Sequence, residues 1–230
     1  MSPQKSPRFR FTRLQAAVHL AALVPLVVLL FDFFTDNLTV NWIQAATQRT
    51  GRIAVTVLLI SLAVTPLHTL SGYNPLLRLR RPLGLYAFFY AVLHFLMYTV
   101  VDYGLNWALL LESLLEKRFI IAGAAAFLIL AALAVTSVDA AKKALGRNWK
   151  RLHRLVYLAG GVVLLHYAWA VKGDFFSLRG SVAQPLLYAG LLLVLLGLRL
   201  PPVKKALLRW RQQRGGFSGW FKNLEKAGEP

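Results

Sequence analysis

The fold class is decided by the stretch LHRLVYLAGGVVLLHYAWAV, residues 152–171, whose length and apolar composition are typical of a membrane helix. A helix needs about 20 mainly apolar residues to cross the hydrocarbon core of a bilayer. The other segments of this kind are residues 14–34, 51–70, 83–101, 118–137 and 184–200. The sequence therefore predicts an all-α membrane protein, a bundle of six transmembrane helices.

Composition excludes several other classes of protein. Of the 230 residues, 57% are hydrophobic and 16% are charged, whereas soluble domains average about 25% charged residues. The formal net charge of +18 does not indicate a nucleic-acid partner, because the basic residues lie between apolar segments rather than on a polar domain. Cysteine is absent, which excludes disulfides, cysteine-bound iron–sulfur clusters and covalently attached c-type haem.

The basic residues also predict the orientation of the six helices. The termini and alternate connections hold 21 Lys and Arg residues on one side and 6 on the other. Positively charged loops stay in the cytoplasm, so we expect both termini to be cytoplasmic in a multi-pass protein of the bacterial inner membrane. The predicted domains are a cytoplasmic segment, 1–13, a transmembrane domain, 14–200, and a basic cytoplasmic tail, 201–230.

The first half of the tail predicts contact with lipid. Between Lys204 and Arg214 the basic residues alternate with Leu207, Leu208 and Trp210. Such a helix binds the surface of an anionic membrane. A docking site for a cytoplasmic partner is the alternative interpretation of the same pattern.

Chemistry is indicated by five histidines, which all fall in or at the edge of a predicted span: His19, His68, His94, His153 and His166. Ionisable side chains inside a membrane are rare and usually functional. Neutral imidazole is a common haem-iron ligand. The histidines therefore favour a b-type haem. The alternative interpretation of each one is a partner in a helix–helix hydrogen bond.

Depth predicts which histidines share an iron. At 1.5 Å per residue, His94 lies about 18 Å and His166 about 24 Å from the cytoplasmic end of its span, so both fall in the periplasmic half. His153, thirteen residues before His166, lies about 20 Å away along the axis and belongs to a second level. Arg80 or Arg81 could neutralise haem propionates or approach the iron there, or act only as positive-inside anchors.

Several stretches resemble the MsrQ family (formerly YedZ), the haem-binding membrane subunits of periplasmic protein-methionine-sulfoxide reductase systems, within the ferric-reductase-like transmembrane group. The paired stretches are NPLLRLRRPLGLYAFFYAVLHF, residues 74–95, and GRNWKRLHRLVYLAGGVVLLHYAW, residues 146–169. Shorter similar stretches are HLAALVPL, LAVTPL and QPLLYAGLLLVLLGLR. The resemblance covers roughly residues 14–205.

The resemblance implies haem b and FMN as cofactors. It implies an electron-transfer subunit that takes electrons from the quinone pool or a flavin reductase. The recipient would be a periplasmic molybdopterin-containing, MsrP-like reductase subunit, which performs the substrate chemistry and repairs oxidised periplasmic proteins. The family's haem ligands carry over to His94, His153 and His166. Its arginine-rich motif carries over to Arg78, Arg80 and Arg81.

Two alternatives remain at this point. Another b-type cytochrome of the ferric-reductase group would normally carry an NADPH- and FAD-binding domain, but no GxGxxG fingerprint or soluble domain occurs here. A transporter or assembly scaffold without redox chemistry would be a different class of protein, and its purified form would be colourless.

Overall fold

The computed structural model describes residues 13–171, 173–174, 179–180 and 182–213, and these form an almost wholly helical bundle. The helices are α1 (Arg13–Phe34), α2 (Trp42–Ser71), α3 (Arg80–Leu96), α4 (Trp107–Glu116), α5 (Arg118–Val135), α6 (Asp139–Leu145), α7 (Arg147–His153), α8 (Leu155–Ala170), α9 (Ala183–Gly197) and α10 (Pro201–Gln213). A 3₁₀ helix, Asn74–Leu79, precedes α3, and a π-helical segment, Met97–Asp102, follows it. Gly173–Asp174 and Arg179–Gly180 form a short antiparallel pair.

Several helices are long and apolar enough to cross a membrane. Within the described residues these are α1, α2, the continuous segment Asn74–Asp102 that contains α3, and α5. The pair α9 and α10, bent by 74°, passes the same test as one broken span. The chain is therefore a multi-pass, all-α membrane protein, as predicted, while the count of six spans stays a prediction.

The stretch that suggested the fold is divided in the structure. The predicted span 152–171 becomes the end of α7 and the 16-residue α8. At 1.5 Å per residue α8 is about 24 Å long, shorter than the hydrocarbon core of about 30 Å. Of the predicted terminal segments, residues 1–12 and 214–230 lie outside the described residues.

The long central helix α2 has well-defined ends. At its start, the Asn41 side chain accepts a hydrogen bond from the Gln44 N–H at 3.0 Å, which satisfies one of the free donors of the first turn. At its end, Gly72 adopts a left-handed φ of 73° and donates to the His68 carbonyl, as glycine does without steric cost. We call the end of the bundle that holds Phe34 and Trp42 the outer end, and the end that holds Ser71 and Arg80 the inner end.

Two pairs of helices form the core, α2 with α3 and α5 with α8. Leu58 and Val64 of α2 pack with Leu83 and Ala87 of α3 and with Ala159 of α8. A second cluster joins α2 to α8 and α9 through Leu62, Leu164 and Leu192. Because α2 belongs to both clusters, it holds the two pairs of helices together.

A proline in α2 is compensated by a distant arginine. Pro66 has no N–H, so the Leu62 carbonyl one turn earlier loses its helical hydrogen bond. The Arg199 guanidinium donates to that carbonyl and also to the Tyr157 hydroxyl, and it lies over the Tyr157 ring. Arg199 therefore joins α2, α8 and the end of α9 at the inner end.

The C-terminal helix is also attached at the inner end. The Arg211 side chain of α10 donates to the Thr69 carbonyl of α2 at 3.1 Å. This contact satisfies one of the carbonyls that the end of α2 leaves unpaired. The predicted helix of the tail is thus present, and its contact with lipid remains a prediction.

Polar contacts with α2 and α3 hold the N-terminal helix α1. The Tyr90 hydroxyl donates to the Ala22 carbonyl at 2.6 Å, and Tyr90 is fully buried. The His19 Nδ1 lies 2.9 Å from the Tyr86 hydroxyl. Asp32 and Arg49 form an ion pair at the outer end. These contacts orient a helix that otherwise exposes most of its surface.

We expect Tyr90→Phe to lower the stability of the protein by about 1 kcal/mol, because the substitution removes one buried hydrogen bond and leaves the ring in place. Tyr90→Ala should cost roughly 3–5 kcal/mol, since it also leaves a cavity. Thermal unfolding of the detergent-solubilised protein, followed by circular dichroism, measures both. Tyr73→Phe, at an exposed position, is the control; equal effects of Tyr73→Phe and Tyr90→Phe would contradict the assigned role of Tyr90.

Candidate functional site

Two of the predicted histidines face each other inside the bundle. The rings of His94, on α3, and His166, on α8, have centroids 6.0 Å apart at an interplanar angle of 76°. A metal–imidazole bond is about 2 Å long, and the ring centre lies about 1 Å beyond the bound nitrogen, so two imidazoles on opposite sides of one metal have centroids about 6 Å apart. The spacing of His94 and His166 fits a shared metal ion.

The protonation of both rings suits metal binding. The His94 Nδ1 lies 2.8 Å from the Thr47 carbonyl oxygen, and the His166 Nδ1 lies 2.7 Å from the Phe119 carbonyl oxygen. A carbonyl only accepts, so Nδ1 carries the proton in both rings and donates it. The lone pair of each Nε2 is then left for a metal, which is the usual arrangement of a ligating histidine.

Two glycines allow the rings to take these positions. A Cβ atom on Gly51 would lie 3.0 Å from the His94 Nδ1, and one on Gly123 would lie 2.8 Å from the His166 Nδ1. Both distances are shorter than the sum of the van der Waals radii. Any other residue at either position would push the neighbouring imidazole away, so each glycine is needed for the position of one histidine. We call the glycine and the backbone carbonyl that contact each imidazole the seat of that histidine.

The two seats are copies of one arrangement. Each histidine binds the carbonyl of the residue 47 positions before it, and each glycine follows that carbonyl residue by one helical turn. Thr47, Gly51 and His94 are related to Phe119, Gly123 and His166 by one constant offset. The helix pairs α2–α3 and α5–α8 therefore contribute equivalent halves of the site.

The glycine and carbonyl partners of the two histidines are not recognisable from the motifs described above. Depth along the spans predicts the pairing of His94 with His166, but no motif in the sequence marks Gly51 or the carbonyls of Thr47 and Phe119. The constant offset between the two glycines and the two histidines is visible in the sequence. A search for internal repeats would have detected it.

His153 has surroundings different from those of the facing pair. It ends α7, and its Nε2 lies 3.2 Å from the Thr136 hydroxyl. The Trp149 ring stacks on it with centroids 4.0 Å apart, while the Trp149 Nε1 donates to the Thr136 carbonyl at 2.9 Å. Among the residues that the structure describes, no second histidine ring contacts His153.

The predicted arginines lie near the inner end and have different surroundings. Arg81 forms an ion pair with Asp139 at 3.6 Å, and both side chains are more than half exposed; such a surface pair contributes little stability. Arg80 begins α3, and its backbone carbonyl accepts from the Ser61 hydroxyl at 3.3 Å. The structure thus does not bring Arg80 or Arg81 to the pair of facing histidines.

The two remaining histidines have hydrogen-bond partners that suggest packing roles. The His68 Nε2 lies 3.0 Å from the Asn74 side-chain oxygen, across the turn between α2 and the 3₁₀ helix. His19 contacts Tyr86, as described above. Both observations agree with the interpretation of these histidines as hydrogen-bond partners between helical segments.

The donor set of the site fits haem better than a bare metal ion. Across the described ranges, no group of three or more His, Asp or Glu side chains could hold a metal. Two facing imidazoles would supply two ligands to an iron, and a porphyrin would supply the other four. The pair of His94 and His166 therefore fits a haem iron, which would provide one-electron chemistry.

Comparison with known proteins agrees with this geometry. The sequence profile of the family described as "Ferric reductase like transmembrane component" matches residues 50–165. This range includes both seat glycines and His94, and it ends next to His166. The match covers half of the chain.

The chain is also similar to curated relatives over most of its length. It is 42% identical to a protein of Ralstonia nicotianae over 94% of this chain and 95% of the relative. It is 42% identical to one of Xanthomonas axonopodis pv. citri, over 80% and 84% respectively, and 40% identical to one of Xanthomonas campestris pv. campestris, over 81% and 85%. All three are named protein-methionine-sulfoxide reductase heme-binding subunit MsrQ. The chain therefore belongs to the MsrQ family, within the ferric-reductase-like transmembrane proteins.

Proposed function

We propose that this protein binds haem b with His94 and His166 as the axial ligands. The observation that carries the proposal is the facing pair of imidazoles, 6.0 Å apart, whose Nδ1 protons are both donated to backbone carbonyls. The relatives are named as haem-binding subunits, which supports the same cofactor. A haem with two imidazole ligands supplies one-electron transfer.

We further propose six spans in the bacterial inner membrane, with both termini in the cytoplasm. The α8 helix then crosses with the help of α7, and α9 forms the sixth span. The concentration of Lys and Arg in the N-terminal segment, the second and fourth connections between spans and the C-terminal tail supports this orientation. The outer end becomes periplasmic, so the pair of His94 and His166 lies in the half of the membrane nearer the periplasm.

In this orientation the protein carries electrons outward. The proposed recipient is a periplasmic, molybdopterin-containing methionine-sulfoxide reductase subunit, in which the substrate chemistry takes place. The names of the relatives support the recipient, since they describe subunits of a protein-methionine-sulfoxide reductase. The proposed donor is the quinone pool or a flavin reductase, because the sequence shows no fingerprint of a nucleotide-binding domain.

His153 extends the proposed path toward the cytoplasm. It lies on the inner side of the facing pair, on the segment that leads into the helix carrying His166. We propose it as a ligand or contact of a second cofactor at this level. The FMN expected from the family resemblance is a candidate for that cofactor, and we propose Arg80 and Arg81, at the inner end, as residues that contact it.

The proposed ligands predict a specific pattern of spectral change. We expect His94→Ala and His166→Ala each to remove the same low-spin haem signal, because one iron loses an axial ligand in both. His153→Ala should leave that signal largely intact and slow reduction by the donor. The Soret band and the reduced α-band of the purified protein, measured with haem per polypeptide, report these effects.

His68→Ala is the matched control, because His68 has a hydrogen-bond partner outside the facing pair. We expect it to retain the full haem signal. A colourless wild-type protein, or an unchanged spectrum in all three ligand variants, would rule out the assignment of the ligands.

The seat glycines make a second prediction. Gly123→Ala places a methyl group against the His166 ring, where the closest approach is 2.8 Å, and Gly51→Ala does the same to His94 at 3.0 Å. We expect both to lower haem content or convert the haem to a high-spin form, with the larger effect in Gly123→Ala. Absorption and electron paramagnetic resonance spectra of the purified variants measure the change.

Gly161→Ala is the control for this pair, since a Cβ there meets no atom within 4 Å. It removes a glycine from the helix that carries His166 without touching either ring. If Gly161→Ala lost haem to the same extent as Gly123→Ala, the effect would reflect helix stability and not the seat of the histidine.

A further inference from the structure

A group of hydrogen-bond donors lies at the outer end of the bundle. Tyr98 is part of the π-helical segment that follows α3, and the centroid of its ring lies 4.7 Å from that of the Tyr103 ring. The Tyr103 and Ser113 hydroxyl oxygens are 2.7 Å apart, and the Lys117 ammonium donates to both, at 3.3 and 3.4 Å. We call Tyr98, Tyr103, Ser113 and Lys117 the outer donor cluster.

The outer donor cluster lacks a negatively charged acceptor. The Tyr98 hydroxyl oxygen is buried and makes no hydrogen bond within the part of the chain that the structure describes. The ion pairs found in the same ranges do not involve Lys117, although an ammonium has three protons to donate. A buried hydroxyl without a partner costs free energy. A carboxylate, which only accepts hydrogen bonds when it is ionised, would remove that cost.

The cluster lies on the outer side of both histidine seats. Tyr98 follows His94 by four residues, about 6 Å along the helix axis, and α3 runs from the inner end toward the outer end. Lys117 precedes α5 and lies two residues before Phe119, whose carbonyl oxygen contacts the His166 Nδ1. A planar group held between the two imidazoles would therefore direct one of its edges toward the cluster.

A haem b in this position would bring the missing acceptor. Its porphyrin carries two propionate carboxylates on one edge. Ionised groups inside a membrane protein need a cation or hydrogen-bond donors close to them. A phenol and an ammonium both form charge-assisted hydrogen bonds with a carboxylate, so the donors of the cluster match the propionates in chemistry.

We propose that Tyr98 and Lys117 bind a propionate of the haem held by His94 and His166, so that the propionate edge of the porphyrin faces the outer end. The inference rests on the proposed haem binding, and it adds two contact residues and an orientation of the cofactor. Tyr103 and Ser113 act as positioning residues, because both hydroxyls accept from the Lys117 ammonium.

Small substitutions remove one donor at a time. Tyr98→Phe removes the unpartnered hydroxyl and keeps the ring, whereas Lys117→Gln removes the charge and Lys117→Arg retains it. Tyr86→Phe is the matched control for the first, because Tyr86 lies on α3 and its hydroxyl contacts α1. Arg118→Gln is the matched control for the second, because it removes a charge from the next residue, which is also exposed.

The test compares haem with its dimethyl ester, in which both propionates are esterified and uncharged. The full-length protein is produced without haem in its wild-type form and in each variant, and it is then loaded with either compound. The affinity for each compound is measured by absorption titration. The midpoint potential of the bound iron is measured by a redox titration.

With haem, we expect Tyr98→Phe to weaken binding by about tenfold, the value of one buried hydrogen bond to a charged group. Lys117→Gln should weaken it less, because Lys117 is exposed and water screens its charge. Both should lower the midpoint potential, since a less neutralised carboxylate near the iron disfavours the added electron. Lys117→Arg should stay close to wild type. With the dimethyl ester, we expect the wild type and all variants to bind equally.

Two outcomes overturn the inference. Equal losses with haem and with the dimethyl ester would mean that the cluster supports only the fold, and variants that match their controls with haem would mean that the propionates lie elsewhere. In either case a haem signal that depends on His94 and His166 leaves the proposed function standing. A wild-type protein that binds no haem would instead refute the proposed function itself, so the two failures are distinguishable.

Discussion

The hydrogen bond from each imidazole to a backbone carbonyl of the neighbouring helix is the constraint on which the site depends. It fixes the tautomer of His94 and His166, so that Nε2 of each ring keeps its lone pair. A free histidine side chain has several rotamers. Fixing two such side chains in the one conformation that binds a shared iron would cost conformational entropy on binding. Here that entropy is lost during folding, so the site is preorganised for the cofactor.

The same helix that anchors His94 also organises the inner end. The α2 helix provides the Thr47 carbonyl to the site, and its Leu62 carbonyl, left free by Pro66, accepts from Arg199. In a membrane every backbone polar group must find a partner inside the protein. The proline thus leaves a carbonyl without its helical donor, and Arg199, which follows α9, supplies one.

The pairing of His94 with His166 could be predicted from the sequence because the rise per residue of a helix is nearly constant, and depth follows from counting. The division of the last histidine-bearing span at Arg154 could not, since nothing in the apolar run 152–171 marks it. The role of Arg199 was also hidden. It depends on a carbonyl 137 positions away, and local patterns contain no information about such contacts.

The constant offset between the two halves of the site has a consequence for symmetry. Each half consists of two helices, one carrying a glycine and a carbonyl and the other carrying a histidine. The histidine-bearing helices run in the same direction in the proposed topology, so a rotation about an axis normal to the membrane relates the halves. Each pair of helices thus carries the complete surroundings of one imidazole, and a facing pair of rings arises where two such units meet.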